Sequence, residues 1–285
     1  MRHPEIRHIP NNPQLSGLAA AEQNIVYSTA TGEELKLTLL TPWGAKERGE
    51  RLPLIAFIQG SAWTFPDLNY EILQMGWYAR QGYVVAMLTH RNCLEGHPFP
   101  AFLEDVKTAI RFLRAHAAEY AIDGGRVCAF GTSSGGNAAL LLGLTGDDPA
   151  YKTGEYPDQS DRVQLVVECF GPTDLKRMLG GSLPAADSSR DIFGALTRGR
   201  DVREVMREMS PVCHVKPGEK YPPFLLIHGG ADDVVPHEQM ELMYRALLES
   251  AADARAISVD GAPHEGSFWS RELHGIIRDY IGEKL

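Results

Sequence analysis

A serine between glycines is the first feature of the sequence that could do chemistry. The stretch Gly131-Thr132-Ser133-Ser134-Gly135 fits the pattern Gly-x-Ser-x-Gly, in which flanking glycines leave room for a nucleophile on a sharp turn. The spacing selects Ser133, because Ser134 would need a glycine at position 132, where threonine stands. The alternative interpretation is a helix N-cap turn built from serine and glycine.

The neighbouring sequence favours the nucleophile. A strand-like stretch, residues 126–130, precedes the turn, and a helix-like stretch, residues 137–144, follows it. A nucleophile elbow needs this strand–turn–helix order, because the turn then presents the serine hydroxyl at the end of a sheet. In such an elbow the backbone N–H of Ser134 would point at the oxyanion that forms on the substrate.

A serine nucleophile needs a base and an acid that orients the base. His264 lies in a glycine- and proline-containing loop after a predicted strand over 254–259, and is the best candidate base. Asp232 and Asp233 directly follow a predicted strand over 224–228, so either carboxylate is a candidate acid. Catalytic groups gather at the carboxyl ends of parallel strands. The chain order serine, aspartate, histidine is that of the α/β hydrolases.

Strand and helix patterns alternate along most of the chain, which predicts a mostly parallel sheet with helices on both faces. Strand patterns cover residues 34–40, 54–58, 83–88, 126–130, 163–170, 224–228 and 254–259. Helical patterns cover residues 68–81, 100–120, 137–144, 238–249 and 267–281. We expect residues 1–285 to form a single catalytic domain of the α/β class.

Two segments lack these patterns. Residues 171–222 are rich in Gly, Pro and charge, with a weak helical pattern over 201–209. A long irregular segment in a compact domain is typical of an active-site cap, which we predict here. Residues up to about 22 are predicted to be an N-terminal arm, either part of the same cover or a tail.

Composition limits the class of partner and the compartment. The chain has 28 Lys and Arg against 37 Asp and Glu, a net charge of −9 with neutral histidines. This balance disfavours nucleic acid and anionic lipid as partners, and no apolar run reaches the roughly 18 residues of a membrane helix. The N-terminal stretch has no apolar core, so we expect no signal peptide and a cytoplasmic protein. Four cysteines without C-x-x-C spacing are expected to be buried free thiols: Cys93, Cys128, Cys169 and Cys213.

One further stretch, Gln59-Gly60-Ser61-Ala62-Trp63, follows an early predicted strand. Together with the serine, aspartate and histidine stretches, it makes the chain resemble the hormone-sensitive-lipase-like carboxylesterases. The resemblance is closer still to the bacterial bifunctional feruloyl and acetyl-xylan esterase-like family, which has His-Gly-Gly-Gly or His-Gly-Gly-Ala-Trp at this point. It covers roughly residues 35 to 282 and also includes the stretches 98–101, 105–114 and 171–174.

The resemblance implies an α/β-hydrolase fold and a serine esterase that uses neither a metal nor an organic cofactor. Ser133 would be the nucleophile and His264 the base. The family pattern His-Gly-x-x-Asp-x-x-Val-Pro places the acid at Asp232. The oxyanion would be bound by N–H groups of Ser61, Ala62 and Ser134, and which of the first two dominates is left open. We then expect Ser133→Ala to abolish hydrolysis and Ser134→Ala to leave most of it.

Two departures from the family pattern concern the loop after the early strand. Gln59 replaces the family's histidine, and we expect its amide to brace the loop. Ser61 replaces a glycine, which is tolerated if the backbone conformation allows a side chain there.

The resemblance leaves the substrate open. It implies a small-molecule or oligosaccharide ester of acetyl or feruloyl type, and a homodimer, since similar esterases are commonly dimers. Candidate pocket residues are Gln59, Trp63, Phe65, Met178 and Phe193. Two other functions stay open: a serine exopeptidase of the prolyl-oligopeptidase group, and a non-catalytic ligand-binding member of the fold.

Overall fold

An eight-stranded sheet forms the centre of the computed structural model, which describes residues 6–180 and 191–285. Its strands are β1 (Ala19–Ser28), β2 (Leu35–Pro42), β3 (Leu52–Ile58), β4 (Val84–Leu88), β5 (Ile122–Thr132), β6 (Leu165–Cys169), β7 (Phe224–Gly229) and β8 (Ala254–Val259). The order across the sheet is β1-β2-β4-β3-β5-β6-β7-β8. Strand β2 is antiparallel to both β1 and β4, and every other neighbouring pair is parallel. The prediction of a mostly parallel sheet is confirmed.

Helices cover both faces of the sheet, as predicted. They are α1 (Ile72–Ala79), α2 (Ala101–Ala115), α3 (Ser134–Leu144), α4 (Leu175–Met178), α5 (Ile192–Thr197), α6 (Val202–Glu208), α7 (Glu238–Glu249) and α8 (Arg271–Lys284). Helices α2, α3 and α7 contribute to one core cluster, and α1 and α8 to the other. The side chains of β3 alternate between them: Ala56 joins the first cluster and Phe57 the second. This alternation follows from the two-residue period of a strand.

The first strand was not predicted, because its sequence carries no apolar pattern. Most of β1 is exposed, and it lies at the edge of the sheet, where it pairs only with β2 among the described strands. Residues 19–22 of the predicted N-terminal arm therefore belong to the sheet. Strand β5 also begins earlier than its apolar pattern, at Ile122, because residues 123–126 are polar or glycine and interrupt that pattern.

The described part of the predicted cap segment, residues 171–180 and 191–222, contains the short helices α4, α5 and α6 and packs on the α2–α3 side of the sheet. The backbone N–H of Phe99 donates to the carbonyl of Leu196 at 3.0 Å, which ties α5 to the loop before α2. Residues 181–190 of this segment and residues 1–5 of the predicted arm lie outside the described residues.

The cysteines are free, as predicted, but Cys213 is exposed rather than buried. Cys93, Cys128 and Cys169 are buried in the two core clusters. Within residues 6–180 and 191–285, no helix combines the length and apolar character that crossing a membrane requires.

Candidate active site

Ser133 lies on a sharp turn between β5 and α3, with φ 50° and ψ −123°. The backbone of a non-glycine residue with positive φ is strained, and such strain persists only where the surrounding structure holds it. The N–H of Ser133 donates to the carbonyl of Cys169 at 2.9 Å, and the Ser133 carbonyl accepts from the N–H of Asn137 at 3.0 Å. The end of β6 and the first turn of α3 thus hold the serine in its strained conformation.

The two glycines of the motif allow backbones to approach closely. A Cβ atom on Gly131 would collide with the carbonyl of Gly135, and a Cβ atom on Gly135 would collide with the carbonyl of Ile58 at the end of β3. The spacing that selects Ser133 therefore has a steric cause, because the turn folds back on itself and against the neighbouring strand.

Ser133, His264 and Asp232 lie in one hydrogen-bonded line. Nε2 of His264 is 3.0 Å from Oγ of Ser133, and Nδ1 of His264 is 2.7 Å from Oδ2 of Asp232. The three residues follow β5, β8 and β7 at the same edge of the sheet. This line is the arrangement in which an imidazole takes the proton of a serine hydroxyl while a carboxylate fixes its tautomer.

The side chain of Asp232 is fully buried and strongly hydrogen-bonded. Its Oδ1 accepts from the N–H groups of Val234 and Val235, both at 2.9 Å. Burial alone would raise the pKa of Asp232, but hydrogen bonds from His228, His264 and these amides outweigh it and hold the pKa well below the usual range. The carboxylate therefore stays ionised opposite His264.

Two further side chains contact this line: Phe170, which the sequence did not point to, and His228, for which its place at a strand end predicts a structural hydrogen bond. The ring of Phe170, at φ 45° just after β6, packs on the ring of His264 with centroids 4.7 Å apart. Nε2 of the buried His228 is 2.9 Å from the carbonyl of Val235 and 3.3 Å from Oδ2 of Asp232. Phe170 belongs to no recognisable motif, whereas His228 is the first residue of the family pattern His-Gly-x-x-Asp-x-x-Val-Pro that places the acid at Asp232.

The hydroxyls on either side of Ser133 hold the loop that follows β3. Oγ1 of Thr132 accepts from the N–H of Gly60, and Oγ of Ser134 accepts from the N–H of Ser61, both at 2.9 Å. The Ser61 hydroxyl donates to the carbonyl of Thr64 at 2.7 Å. The structure therefore brings Ser61 and Ser134 together, but the N–H of Ser61 is bound by a side chain in this state.

Ala62, the third predicted oxyanion residue, has φ 51°. Within the described part of the chain, its N–H makes no hydrogen bond, and neither does the N–H of Ser134 at the first position of α3. These two N–H groups are the ones that a substrate oxygen would find unoccupied.

Gln59 lies at the end of β3 and is buried. Its Oε1 accepts from the N–H of Asp67 at 2.7 Å, which closes the loop over residues 59–67. This contact is the loop brace that we expect of Gln59 in place of the family's histidine.

Two predicted pocket residues pack against each other. Trp63 is 3% exposed, and its ring lies 5.9 Å from that of Phe193 on α5. Its Nε1 donates to Oδ1 of Asn137 at 3.3 Å. Little of the indole is open to a ligand in this state, so its place in the pocket stays a prediction.

The other two pocket residues lie elsewhere. Phe65 is exposed and borders a surface groove that also includes Asn24 and Thr38. Met178 ends α4 and is partly buried. Their contact with a substrate stays a prediction.

The chain matches a known family over most of its length. The family model BD-FAE matches residues 42–247. The chain is similar to Esterase LipC of Mycobacterium tuberculosis, with 32% identity over 235 residues that cover 79% of this chain and 56% of that protein. It is also similar to Endo-1,4-beta-xylanase B of Butyrivibrio fibrisolvens, with 32% identity over 147 residues, 52% of this chain and 21% of that protein. The chain spans about half the length of the first curated relatives it matches.

Solved structures with the same fold agree with this match. A truncated carbohydrate esterase from gut microbiota superposes with a TM-score of 0.78 and 29% identity, covering 93% of this chain and 96% of that chain. The bifunctional GH43-CE of Bacteroides eggerthii superposes with a TM-score of 0.77 and 30% identity, covering 93% of this chain and 38% of that chain. The chain therefore belongs to the BD-FAE family, and its described part is a carboxylic ester hydrolase domain of the α/β-hydrolase fold.

Proposed function

We propose that this protein hydrolyses carboxylic esters through an acyl-enzyme on Ser133, with His264 as base and Asp232 as the orienting acid. The observation that carries the proposal is the hydrogen-bonded line with distances of 3.0 Å from Ser133 to His264 and 2.7 Å from His264 to Asp232. The strained backbone of Ser133 supports it, because such strain clusters at catalytic positions.

In the first half-reaction, Oγ of Ser133 attacks the ester carbonyl while Nε2 of His264 takes its proton. The carbonyl oxygen becomes an oxyanion next to the N–H groups of Ala62 and Ser134. His264 then protonates the departing alcohol, which leaves the acyl group on Ser133. Asp232, ionised and buried, holds the imidazole and stabilises the imidazolium.

In the second half-reaction, water takes the place of the alcohol. His264 removes a proton from the water, which attacks the acyl carbonyl and forms a second oxyanion. Collapse of that intermediate returns the proton to Oγ of Ser133 and releases the acid. All the proton transfers run through one imidazole, and no step needs a metal or an organic cofactor.

For the substrate, we propose short-chain acyl esters, including acetyl or feruloyl esters of plant polysaccharides. Support comes from the BD-FAE match and from the similarity to a protein named as a carbohydrate esterase. The partial similarity to a protein named as a xylanase points to the same class of polymer. The acidic chain, with a net charge of −9, suits a neutral ester better than a polyanion.

The test is a substrate panel with a nucleophile variant. p-Nitrophenyl esters of increasing chain length, acetylated xylan and methyl ferulate are assayed beside a p-nitroanilide peptide. We expect turnover of the esters and little or none of the amide. In Ser133→Ala we expect kcat for ester hydrolysis to fall by about 1,000-fold or more, as in other enzymes that lose a triad residue. The variant must unfold at the wild-type temperature for the loss to count.

Three results would contradict the proposal. Preference for the peptide amide would favour a serine exopeptidase. Binding of esters without turnover would favour a non-catalytic member of the fold. Full activity in folded Ser133→Ala would show that another residue is the nucleophile.

A further inference from the structure

The side chain of Ser134 binds the backbone N–H of Ser61, which the family resemblance implies as an oxyanion donor. Its Oγ accepts the N–H of Ser61 at 2.9 Å. Ser134 is 2% exposed, so this contact is shielded from water. The backbone N–H of the same residue is unbonded at the start of α3 within the described residues. Ser134, directly after the proposed nucleophile, thus carries both a hydroxyl and an unbonded backbone N–H.

We propose that the hydroxyl of Ser134 is itself an oxyanion donor, so that Ser134 binds the oxyanion through both its backbone N–H and its side chain. The inference rests on the proposed esterase function. It makes Ser134 a catalytic residue by its side chain, and it replaces the expectation from the resemblance, in which Ser134 acts only by its backbone and Ser134→Ala leaves most of the hydrolysis.

The hydrogen-bond inventory of this hydroxyl supports the proposal. A serine hydroxyl has one donor and two acceptor positions. In Ser134 an acceptor position is filled by the N–H of Ser61, and among the described residues no group accepts the O–H proton. The proton is therefore available for an oxygen that arrives with the substrate.

The contact from Ser61 also increases the strength of this donor. A hydroxyl that accepts a hydrogen bond is polarised, and its own O–H becomes a better donor. The N–H of Ser61 then acts on the oxyanion through the hydroxyl of Ser134 rather than directly. The hydroxyl of Ser61 cannot take this role in the present state, because it donates to the carbonyl of Thr64 at 2.7 Å.

Thr132 provides a matched comparison. Its hydroxyl accepts the N–H of Gly60 at the same distance of 2.9 Å, from the other side of Ser133. Thr132 belongs to β5 and contributes no N–H to the oxyanion, whereas Ser134 starts the helix whose N-terminus faces it. Both hydroxyls hold the same loop. A larger loss of activity in the Ser134 variant than in the Thr132 variant would therefore indicate an oxyanion contact.

The experiment compares Ser134→Ala with Thr132→Val in the full-length protein. We expect kcat of Ser134→Ala on p-nitrophenyl acetate to fall by about 10- to 100-fold with little change in KM. Removal of an oxyanion donor typically costs about 100- to 1,000-fold, and the N–H of Ser61, once freed, offsets part of the loss. Titration with an organophosphate gives the concentration of reactive Ser133. Because kcat is calculated from that concentration, misfolded protein does not lower it.

A second readout reports on the oxyanion alone. A trifluoromethyl ketone adds to the nucleophile as a hemiketal, whose pKa is followed by ¹⁹F NMR. Loss of a donor raises the pKa of the bound hemiketal. We expect the pKa of the bound hemiketal to rise in Ser134→Ala and to stay unchanged in Thr132→Val, even if Thr132→Val is less stable.

The inference is overturned if Ser134→Ala has wild-type or higher kcat, since the hydroxyl would then be neutral or would block the N–H of Ser61. An equal rise of the hemiketal pKa in both variants would also overturn it, because loop position would then be the cause. Failure of the proposed function is a separate result: wild-type protein would then neither hydrolyse the ester nor react with the organophosphate.

Discussion

Nε2 of His228 lies 3.3 Å from Oδ2 of Asp232, the same oxygen that His264 contacts, and both side chains are fully buried. Burial alone would lower the pKa of His228, but its hydrogen bond to Asp232 and the nearby Glu168 raise it overall. Asp232 thus interacts with two imidazoles, and only the one at position 264 reaches Ser133. We assign His228 the task of positioning Asp232 and keeping its carboxylate ionised.

His228→Phe keeps a buried ring and removes the hydrogen bonds to Asp232 and to the carbonyl of Val235. We expect a loss of about 1–3 kcal/mol in the free energy of unfolding, because a buried acceptor loses its donor. A histidine whose pKa is raised by folding stabilises below its unfolded pKa, and this contribution disappears as pH rises through the folded pKa. The deficit should therefore be larger near about pH 5.5 than near about pH 9.

Urea unfolding at the two pH values measures this difference. His237→Asn is the control, since the side chain of His237 is only partly buried and its Nε2 faces the hydroxyl of Ser258. A deficit of His228→Phe that is equal at both pH values would contradict the assignment, because packing alone would then explain it.

Asp161 forms ion pairs with two buried cations of α2. Its Oδ1 accepts from Lys107 and its Oδ2 from Arg111, both at 2.9 Å, and all three side chains are at most 1% exposed. Asp161→Asn would leave these cations without a counter-charge. We expect a loss of about 3–5 kcal/mol in the free energy of unfolding.

The matched control is Asp253→Asn, which breaks an ion pair with Lys284 at 2.7 Å whose carboxylate is 52% exposed. Its expected loss is below about 1 kcal/mol. Chemical denaturation of both variants at neutral pH gives the comparison, and similar losses would show that burial of the Asp161 cluster has little effect.

Two glycines with different surroundings should respond in opposite directions to alanine. Gly131→Ala places a Cβ atom against the carbonyl of Gly135, so we expect a loss of more than about 2 kcal/mol and of activity. Gly275 lies inside α8 and has open space around a built Cβ atom. Gly275→Ala should therefore stabilise the protein by about 0.5–1 kcal/mol through helix propensity.

Thermal unfolding and an ester assay measure both variants together. Gly275→Ala should keep wild-type activity because α8 contributes none of the proposed catalytic groups. A stable and active Gly131→Ala protein would show that the turn at Ser133 can relax around a Cβ atom at position 131. The steric explanation of the motif would then be wrong.

Much of the fold and the grouping of Ser133, Asp232 and His264 could be predicted because each lies just after a buried strand. The carboxyl ends of parallel strands meet at one edge, so their order along the chain is enough to bring such residues together. The elbow glycines could be predicted for the same kind of reason, since a sharp turn leaves no space for side chains.

Other features depend on information that no sequence pattern carries. Strand β1 is polar and exposed at the sheet edge, so its pairing with β2 is set by backbone hydrogen bonds rather than by an apolar period. The contact of Ser134 with the N–H of Ser61 depends on the side-chain orientation of one residue. The family pattern places His228 four residues before Asp232, but the contact between the two side chains depends on how the turn after β7 folds back on its strand.

Glu71 stands at the N-cap position of α1, makes no side-chain capping hydrogen bond and is only 3% exposed. Its Oε2 has no hydrogen-bond partner in the described structure. Burial, and then the negative charge of Glu265, raise the pKa of Glu71 to about 8. Glu265 directly follows His264 in sequence, and burial raises its pKa as well.

The sign of the pH effect follows from proton binding. Between the unfolded pKa of 4.5 and the folded pKa of about 8, the folded state holds a proton that the unfolded state has lost. Stability therefore falls as pH rises through this window, and the penalty remains above it. Glu71→Gln keeps the shape and cannot ionise, so it avoids this penalty, which is at most about 3–5 kcal/mol.

We expect Glu71→Gln to match wild type near about pH 5 and to be clearly more stable near about pH 9. Urea unfolding at both pH values measures the difference, with Glu249→Gln as control, because Glu249 is exposed at the end of α7. A variant that is no more stable than wild type at the higher pH would show that Glu71 ionises without penalty. Water or a cation would then have to solvate the carboxylate of Glu71 in the folded protein.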